Sequence, residues 1–429
     1  MRKAQWRLGV AGLGTVGSGL ISLVGTKPTF SPTRSSCVVT GVSARSRSAT
    51  RPVEISRFQW FDDPVALAIS PDNDIFVELI GGADGPARSA VEAALRLGKP
   101  VVTANKALIA THGRELAIIA EANGAPLLFE AAVMGGTPAV KLIREALVGD
   151  EIEAVAGILN GTCNYILTEM EATGRGFPEV LAEAQALGYA ESDPTMDVGG
   201  FDAAHKITIL AALAFGYAPT LAAAEVEGIA DIELLDIRLA KDLGYKIRLI
   251  ANAVRNTAGI SVRVHPALTP IDHPLARVDG ALNALFVQAE KIGRIFIQGA
   301  GAGAGPTAAA VAADIADVMT GTSRPVFQAP GESLCSFSAV SPADARGRAY
   351  VRLLVRDEPG VIASVSETLA EAGVSIDSFL QKPAQGASGV PIVLTTHLAP
   401  EATIAKAVEA MATLPSLMAP PRVIRISLI

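Results

Sequence analysis

Residues 7–24 read RLGVAGLGTVGSGLISLV. Residues 7–11 suit a short buried strand, and the residues after 14 take helical spacing. Between them lies Gly12-Leu13-Gly14-Thr15-Val16-Gly17, a G-x-G-x-x-G turn. Alone that pattern is weak, but between a strand and a helix it has a mechanism. The first Gly makes the turn, the second lets a pyrophosphate approach the backbone, and the third packs the helix on the sheet. The helix N-terminus then faces the phosphates. The stretch predicts a dinucleotide-binding βαβ unit, with a purely structural glycine turn as the alternative.

Outward from this turn, strand and helix alternate. CVVTGVS (37–43), IFVELIGG (75–82), PVVTANK (100–106) and APLLFEAAV (125–133) read as strands. GPARSAVEAALRLGK (85–99) and KALIATHGRELAIIAEANG (106–124) read as helices, the second stopped by Gly124. The fold class is therefore α/β, with a Rossmann-type parallel sheet over residues 1–130, completed by residues 300–325 with their Ala-rich helix. Residues 131–300 change texture. EIEAVAGILNG (151–161) and GISVRVHPALT (259–269) read as strands, 200–216 and 231–243 as helices, so an α+β domain for the substrate is expected. A polar linker is expected over 326–347. Residues 348–429 follow a βαββαβ order, that of a small ferredoxin-like domain.

The 429 residues exceed one compact core, and 50% are hydrophobic against 18% charged. A net charge of −7 without a Lys/Arg block argues against a nucleic-acid partner. The long uncharged runs, residues 8–26, 207–224 and 295–313 among them, are broken by Gly or Pro rather than continuously apolar, so no membrane span is expected. The apolar run near the N-terminus is too short and too rich in glycine for a signal peptide. Cys37, Cys163 and Cys335 are scattered, which suits a reducing compartment; the protein is expected to be cytoplasmic.

An Asp or Glu near the end of the second strand would hold the ribose of NAD. VTGVSARSRSATR (39–51) offers none, but it carries Ser43, Arg45, Ser46 and Arg47. Guanidinium and hydroxyl groups suit a 2′-phosphate, so NADP is expected over NAD, with Arg45 as the main contact. A solvated basic loop is the alternative.

LGYAESDPTMDVGGFDAAHK (187–206) gathers Glu191, Asp193, Asp197, Asp202 and Lys206 in a largely apolar chain. Asp202 and Lys206 are i, i+4 on a helix and reach one spot. Glu191 precedes them on a loop that can fold over it. Reducing a carbonyl by hydride requires a proton for the developing alkoxide. No Tyr has a Lys four residues on, and the Cys and His residues lack zinc-ligand spacing. Lys206 beside Asp202 is the leading proton donor, and a surface ion pair is the alternative. Lys106, just after a sheet strand, is the second candidate amine. Cys163 reads as a buried small residue with thioester chemistry as the alternative. His265 and His273 flank a Pro-rich stretch and read as turn residues.

These motifs together resemble homoserine dehydrogenases over nearly the whole chain. The resemblance rests on GLGTVG (12–17), VVTANKALIA (101–110), EAAVMGGTPAV (130–140), GILNGTCNYILTEM (157–170), AQALGYAESDPTMDVGGFDAAHK (184–206), VHPALTP (264–270) and GAGAGPTAAAVAADI (301–315). It implies reversible reduction of L-aspartate 4-semialdehyde to L-homoserine with NADP, or NAD, in threonine and methionine biosynthesis. It further implies Lys206 as proton donor and acceptor, Glu191 and Asp202 as substrate contacts, and Lys106 as a cofactor contact at the nicotinamide and the reacting oxygen. Gly188 and Gly303 match cofactor-contacting glycines, Gly188 lying also beside the substrate. Glu130 with the carbonyls of Val133, Gly135 and Thr137 matches a sodium site. Cys163 stands where Thr is expected, and Met134 and Thr137 replace other residues of the pattern.

RDEPGVIASVSETLAEAGVSI (356–376) is similar to the signature of an ACT domain, with Asp357, Pro359, Gly360 and Val361 in its first turn. The resemblance implies a threonine effector and a homodimer through the middle domain or a homotetramer through the last. Two rivals remain at this level: a non-catalytic sensor of NADP and an amino acid, and a phosphorylating dehydrogenase using Cys163.

Overall fold

The structure, a computed structural model, describes residues 3–27, 29, 35–257, 259–322, 324–340, 345–382 and 389–427. Strand β1 (Gln5–Ala11) ends where Gly12 turns the chain into the helix Thr15–Thr26. It is joined by β2 (Ser36–Ser43), β3 (Gln59–Phe61), β4 (Ile75–Glu78), β5 (Val101–Thr103) and β6 (Leu127–Leu128). All pair in parallel, in the order β3-β2-β1-β4-β5-β6. Strand order reverses between β1 and β4, so the ligand crevice lies beyond their carboxyl ends. Leu8, Val10, Ile75 and Val77 are fully buried because helices cover both faces of the sheet. The helix Ala304–Thr320 packs on Thr15–Thr26 and completes this domain with Val311 and Ile315.

Two elements of this first domain escape the sequence reading. Strand β3 is three residues long with an exposed Gln59, too short to show alternation. The helix Pro64–Ile69 starts on a legible signal, Asp63 accepting the Val65 amide before Pro64 at the first turn. APLLFEAAV is only partly a strand: two residues pair, and Ala131–Met134 is helical. An apolar run of this length suits either state. The Glu130 carboxylate accepts the amides of Val140 (3.0 Å) and Lys141 (2.8 Å), and so folds the segment back on itself.

The second sheet contains β7 (Ile152–Ile158), β8 (Ala224–Val226), β9 (Tyr245–Asn256), β10 (Gly259–Pro270), β11 (Leu282–Ala289) and β12 (Gly293–Ala300). The last domain adds β13 (Arg346–Val355), β14 (Ile376–Gln381), β15 (Val390–Thr396), β16 (Ala399–Pro400) and β17 (Leu417–Ile426). The path runs β12-β11-β7-β9-β10-β17-β13-β15-β14, with β8 on β10 and β16 on β13. The helices Gly161–Thr173 and Phe201–Phe215 pack on its middle strands and carry most of the candidate site.

The expected βαββαβ order is present, with helices Val361–Glu371 and Glu401–Met411. Its sheet continues the middle one through a short parallel pairing, Ala267 with Arg425 and Leu268 with Ile426. A buried clamp reinforces that seam. Asp236, fully buried, accepts Arg352 Nε (2.7 Å), Arg352 Nη2 (3.2 Å) and the Tyr350 hydroxyl (3.0 Å). Arg352→Met leaves the carboxylate without its cation and is expected to destabilise the protein by about 3–5 kcal/mol. Denaturant unfolding checks this; an unchanged midpoint would show that the clamp carries no weight.

The first residues of the expected linker are packed against the first domain. Val326 and Phe327 are buried, and the Phe327 ring lies 5.6 Å from that of Phe129. The Glu121 carboxylate accepts the Gly331 amide at 2.7 Å. The linker's polar composition hid these few apolar anchors.

Candidate active site

The glycine turn is shaped as its spacing requires. Gly12 has φ +99°, and a Cβ there would collide with the Leu79 carbonyl. One on Gly17 would strike the Gly12 carbonyl, while nothing lies within 4 Å of a Cβ built on Gly14. Gly14 precedes Thr15 and Val16 at the helix start, where no side chain caps the first amides and no acid occupies the first turn. The open side of the turn thus presents uncapped N–H groups suited to phosphate.

A cavity of about 760 Å³ opens beside it, lined among others by Gly12, Leu13, Gly14, Ser43, Arg45, Ser46, Arg51, Leu79 and Ile80. Arg45 and both serines share its wall with the glycine turn. Arg47 instead stacks over Trp60, 5.9 Å from the ring centre, as does Arg51 at 6.0 Å. Arg51, not singled out in the sequence, is the second guanidinium at the cavity. It is held by the carbonyls of Ser46, Arg47 and Ala49.

The acidic cluster closes around one carboxylate. Asp202 accepts Lys206 Nζ at 2.7 Å on Oδ2, and Lys106 Nζ lies 2.9 Å from Oδ1. Lys206 also donates to the Leu159 carbonyl at 2.7 Å. Asp202 is 6% and Lys206 8% exposed, whereas the Lys106 side chain keeps 40% of its surface in solvent. The helix Phe201–Phe215 brings Asp202 and Lys206 together by i, i+4 spacing. Lys106 arrives from the first turn of the helix Lys106–Ala122, which Asn105 caps by accepting the Leu108 amide.

Burial pushes the Asp202 carboxyl up, but Lys206 and Lys106 outweigh it and hold the group below the usual carboxylate range. Burial, reinforced by the Lys106 charge, brings the Lys206 amine below its ordinary value, against the pull of Asp202. Lys106 moves the other way, raised chiefly by Asp202. One carboxylate therefore holds two amines of opposite tendency, an arrangement that suits proton transfer beside a fixed positive charge.

Asp197, which the acidic stretch already contained, and Asn160, which the sequence reading did not single out, complete the cluster. Asn160 donates to Asp197 (2.7 Å) and Asp202 (2.9 Å) and caps the helix Gly161–Thr173 by accepting the Cys163 amide. Asn283 donates to the same Leu159 carbonyl that Lys206 uses. The Asn-Gly-Thr sequence at 160–162 was a readable cap signal; Asn283, in a strand, had none.

Glu191 remains exposed and makes no hydrogen bond or ion pair through its carboxylate among the described residues, though its charge helps to raise Lys106. Gly188 follows the helix Phe177–Ala186 with φ +77°. Gly303 starts the helix Ala304–Thr320 with φ +125°. Cys163 is fully buried, its thiol donating to the Asp197 carbonyl at 3.1 Å and pushed up by burial, so it is no nucleophile in this fold. His273 caps the turn Pro274–Arg277, as a turn residue should. His265 instead sits in β10, buried and lowered to about 4, because its Pro-flanked stretch pairs along β9.

Glu130, Val133, Gly135 and Thr137 lie on the short helix Ala131–Met134 and its flanks, and all four are buried. Among the described residues no group of three or more His, Cys, Asp or Glu is arranged for a metal. Any cation here would rest on one carboxylate and backbone carbonyls, the donors of a hard ion. No described helix is long and apolar enough to cross a membrane.

A glycine turn at the switch point of a parallel sheet, and a lysine–aspartate–lysine cluster, define a nicotinamide-nucleotide-dependent oxidoreductase. Residues 12–130 match the family model for the homoserine dehydrogenase NAD-binding domain, 138–316 that for homoserine dehydrogenase, and 349–415 that for the ACT domain. The chain is 42% identical to the homoserine dehydrogenase of Pseudomonas aeruginosa, the alignment covering 98% of each chain. It is 39% identical to that of Neisseria gonorrhoeae over 97% of this chain and 98% of the other. The crystal structure of a homoserine dehydrogenase from Thiobacillus denitrificans superposes with a TM-score of 0.91 at 39% identity, covering 99% of this chain and 98% of that one. A hyperthermophilic archaeal homoserine dehydrogenase in complex with NADPH matches 75% of this chain and 99% of its own, at TM-score 0.65 and 27% identity. The chain belongs to the homoserine dehydrogenase family.

Proposed function

We propose that the protein interconverts L-aspartate 4-semialdehyde and L-homoserine with NADP preferred over NAD, and that it is regulated by threonine. The observation that carries the reaction is the Asp202 carboxylate bound by both Lys206 and Lys106. When bound, the nicotinamide supplies or accepts the hydride. Gly12 to Gly17, Arg45 and Gly303 would hold that cofactor, with Gly188 beside it. Glu191 and Asp202 face the substrate ammonium. An ammonium has three N–H donors; Asp202 and the Leu159 carbonyl take two of those on Lys206, which leaves one for the reacting oxygen. Lys206 moves the proton, and Lys106 keeps its charge and stabilises the developing alkoxide.

NADP preference is supported by the absence of an acid at the end of β2 and by Arg45 and Arg51 at the cavity. Arg45→Glu is expected to raise the NADPH KM about tenfold or more, because a favourable charge becomes a repulsive one. An unchanged KM would assign the 2′-phosphate elsewhere. The proposal includes a sodium ion at Glu130 and the carbonyls of Val133, Gly135 and Thr137, and exchanging sodium for lithium or choline in the assay tests it. A threonine site in the ACT domain is supported by a cavity of about 300 Å³ whose lining includes Asp357, Gly360 and Val361. Pairing of chains, as a dimer or tetramer, completes the proposal.

The deciding experiment is absorbance at 340 nm with protein, NADP and homoserine at alkaline pH, with and without threonine. No NADPH formation would refute the reaction, and no effect of threonine would refute the regulation.

A further inference from the structure

Glu78 ends β4 and is completely buried, yet no lysine, arginine or histidine pairs with it among the described residues. Hydrogen-bond donors surround it instead. Its Oε1 accepts the amides of Ile80 (2.7 Å) and Gly81 (3.0 Å), and its Oε2 accepts the Thr103 hydroxyl. Burial pushes this carboxyl up, and the donors from Thr103, Gly81 and Ile80 pull it back. A buried carboxylate without a cation is costly, and an apolar side chain would end a sheet strand more cheaply.

The bonds continue on both sides. The Thr103 hydroxyl oxygen accepts the Asn105 amide at 2.9 Å. Asn105 donates through Nδ2 to the Gly82 carbonyl (2.7 Å) and accepts the Leu108 amide on Oδ1 (3.1 Å), capping the helix that begins at Lys106. One carboxylate thus ties together two segments that enter the crevice. The first is 79–82, whose Leu79 and Ile80 line the cofactor cavity and whose Gly81 and Gly82 adopt φ of +88° and +86°. The second is 103–106, which delivers Lys106 to Asp202.

We propose that Glu78 is a positioning residue for the dehydrogenase reaction: by holding Ile80, Gly81 and Thr103 at once, it fixes the cofactor-cavity loop relative to Lys106. The inference rests on the homoserine dehydrogenase reading above. It separates the two arms of the network, because Thr103 serves only the Lys106 side, whereas Glu78 serves both.

The test uses full-length protein with homoserine and NADP, kcat being expressed per site that binds NADPH in a fluorescence titration. Thr103→Val keeps the shape and removes the hydroxyl. It is expected to lower kcat about 10- to 100-fold, the effect of a small misplacement of a reacting group, with the NADPH dissociation constant within about twofold of wild type. Thr103→Ser restores the hydroxyl and is expected to recover most of that loss. Glu78→Gln is expected to lower kcat and to weaken NADPH binding, and adding Thr103→Val to it should cost less than Thr103→Val does alone. Unchanged kcat in Thr103→Val, or a lower Tm and fewer NADPH sites with unchanged kcat per site, would overturn the proposal. An inactive wild-type protein would overturn the reaction assignment instead.

Discussion

Lys206→Ala is expected to lower kcat for homoserine oxidation about 100- to 10,000-fold, the range of a lost general base. The NADPH dissociation constant should stay near that of wild type, since the glycine turn and Arg45 lie on another domain. The distinction follows from geometry. Lys206 is 8% exposed, and its ammonium is anchored by the Leu159 carbonyl and Asp202, so no neighbouring side chain can take over its place. Lys106 reaches the same carboxylate but is raised, not lowered, and remains cationic over the assay range. The fold should survive, because Asp202 retains Lys106 and Asn160 as partners. Steady-state rates beside a fluorescence titration of NADPH check both halves. A kcat within tenfold of wild type, or equal losses in rate and cofactor binding, would remove Lys206 from proton transfer.

Asp202→Asn is expected to move the pH profiles of both directions to lower pH, which favours oxidation and penalises reduction at a given mildly alkaline pH. Oxidation needs the neutral Lys206 amine, so its rate rises with pH through the Lys206 pKa, which burial sets below the ordinary 10.5. Reduction needs the protonated amine and falls through the same pKa. The Asp202 charge raises both lysines; its removal lowers both. The oxidation limb then shifts to lower pH by at least about one unit, since a charge at this range contributes a few kcal/mol at an effective dielectric of roughly 20. Reduction at mildly alkaline pH loses its donor. The variant should also be less stable by about 3–5 kcal/mol, as Lys206 becomes a buried cation without a counter-charge. Profiles in both directions measure the shift; an unmoved oxidation limb would show that Lys206 does not titrate in the rate.

Legibility in the sequence followed the range of the interactions. The glycine turn was readable because strand, turn and helix are contiguous, and each Gly answers a local steric demand. Asp202 and Lys206 were readable because four residues on a helix form a geometric unit. Lys106 was readable only as an amine after a strand, with a surface position equally open. Its partner is 96 residues away, the difference between positions 202 and 106. Arg51 was passed over for Arg47 because a loop has no periodicity to say which guanidinium turns inward; the carbonyls of Ser46, Arg47 and Ala49 decide it by holding Arg51 at the cavity. Glu78 looked like the end of an apolar strand, and nothing nearby in the chain announces Thr103.

By itself the sequence determined the order of elements, the dinucleotide turn, the three-part organisation and the i, i+4 pair, all of which depend on neighbours along the chain. Only the tertiary structure decided that one carboxylate serves two lysines, that Cys163 is shut away beside Asp197, and that Val326, Phe327 and Gly331 are docked. It also decided that the last domain extends the middle sheet through β17. Those outcomes depend on which distant groups share a buried space. There, desolvation makes partner choice energetically decisive, whereas along a solvated chain the same groups would hardly interact.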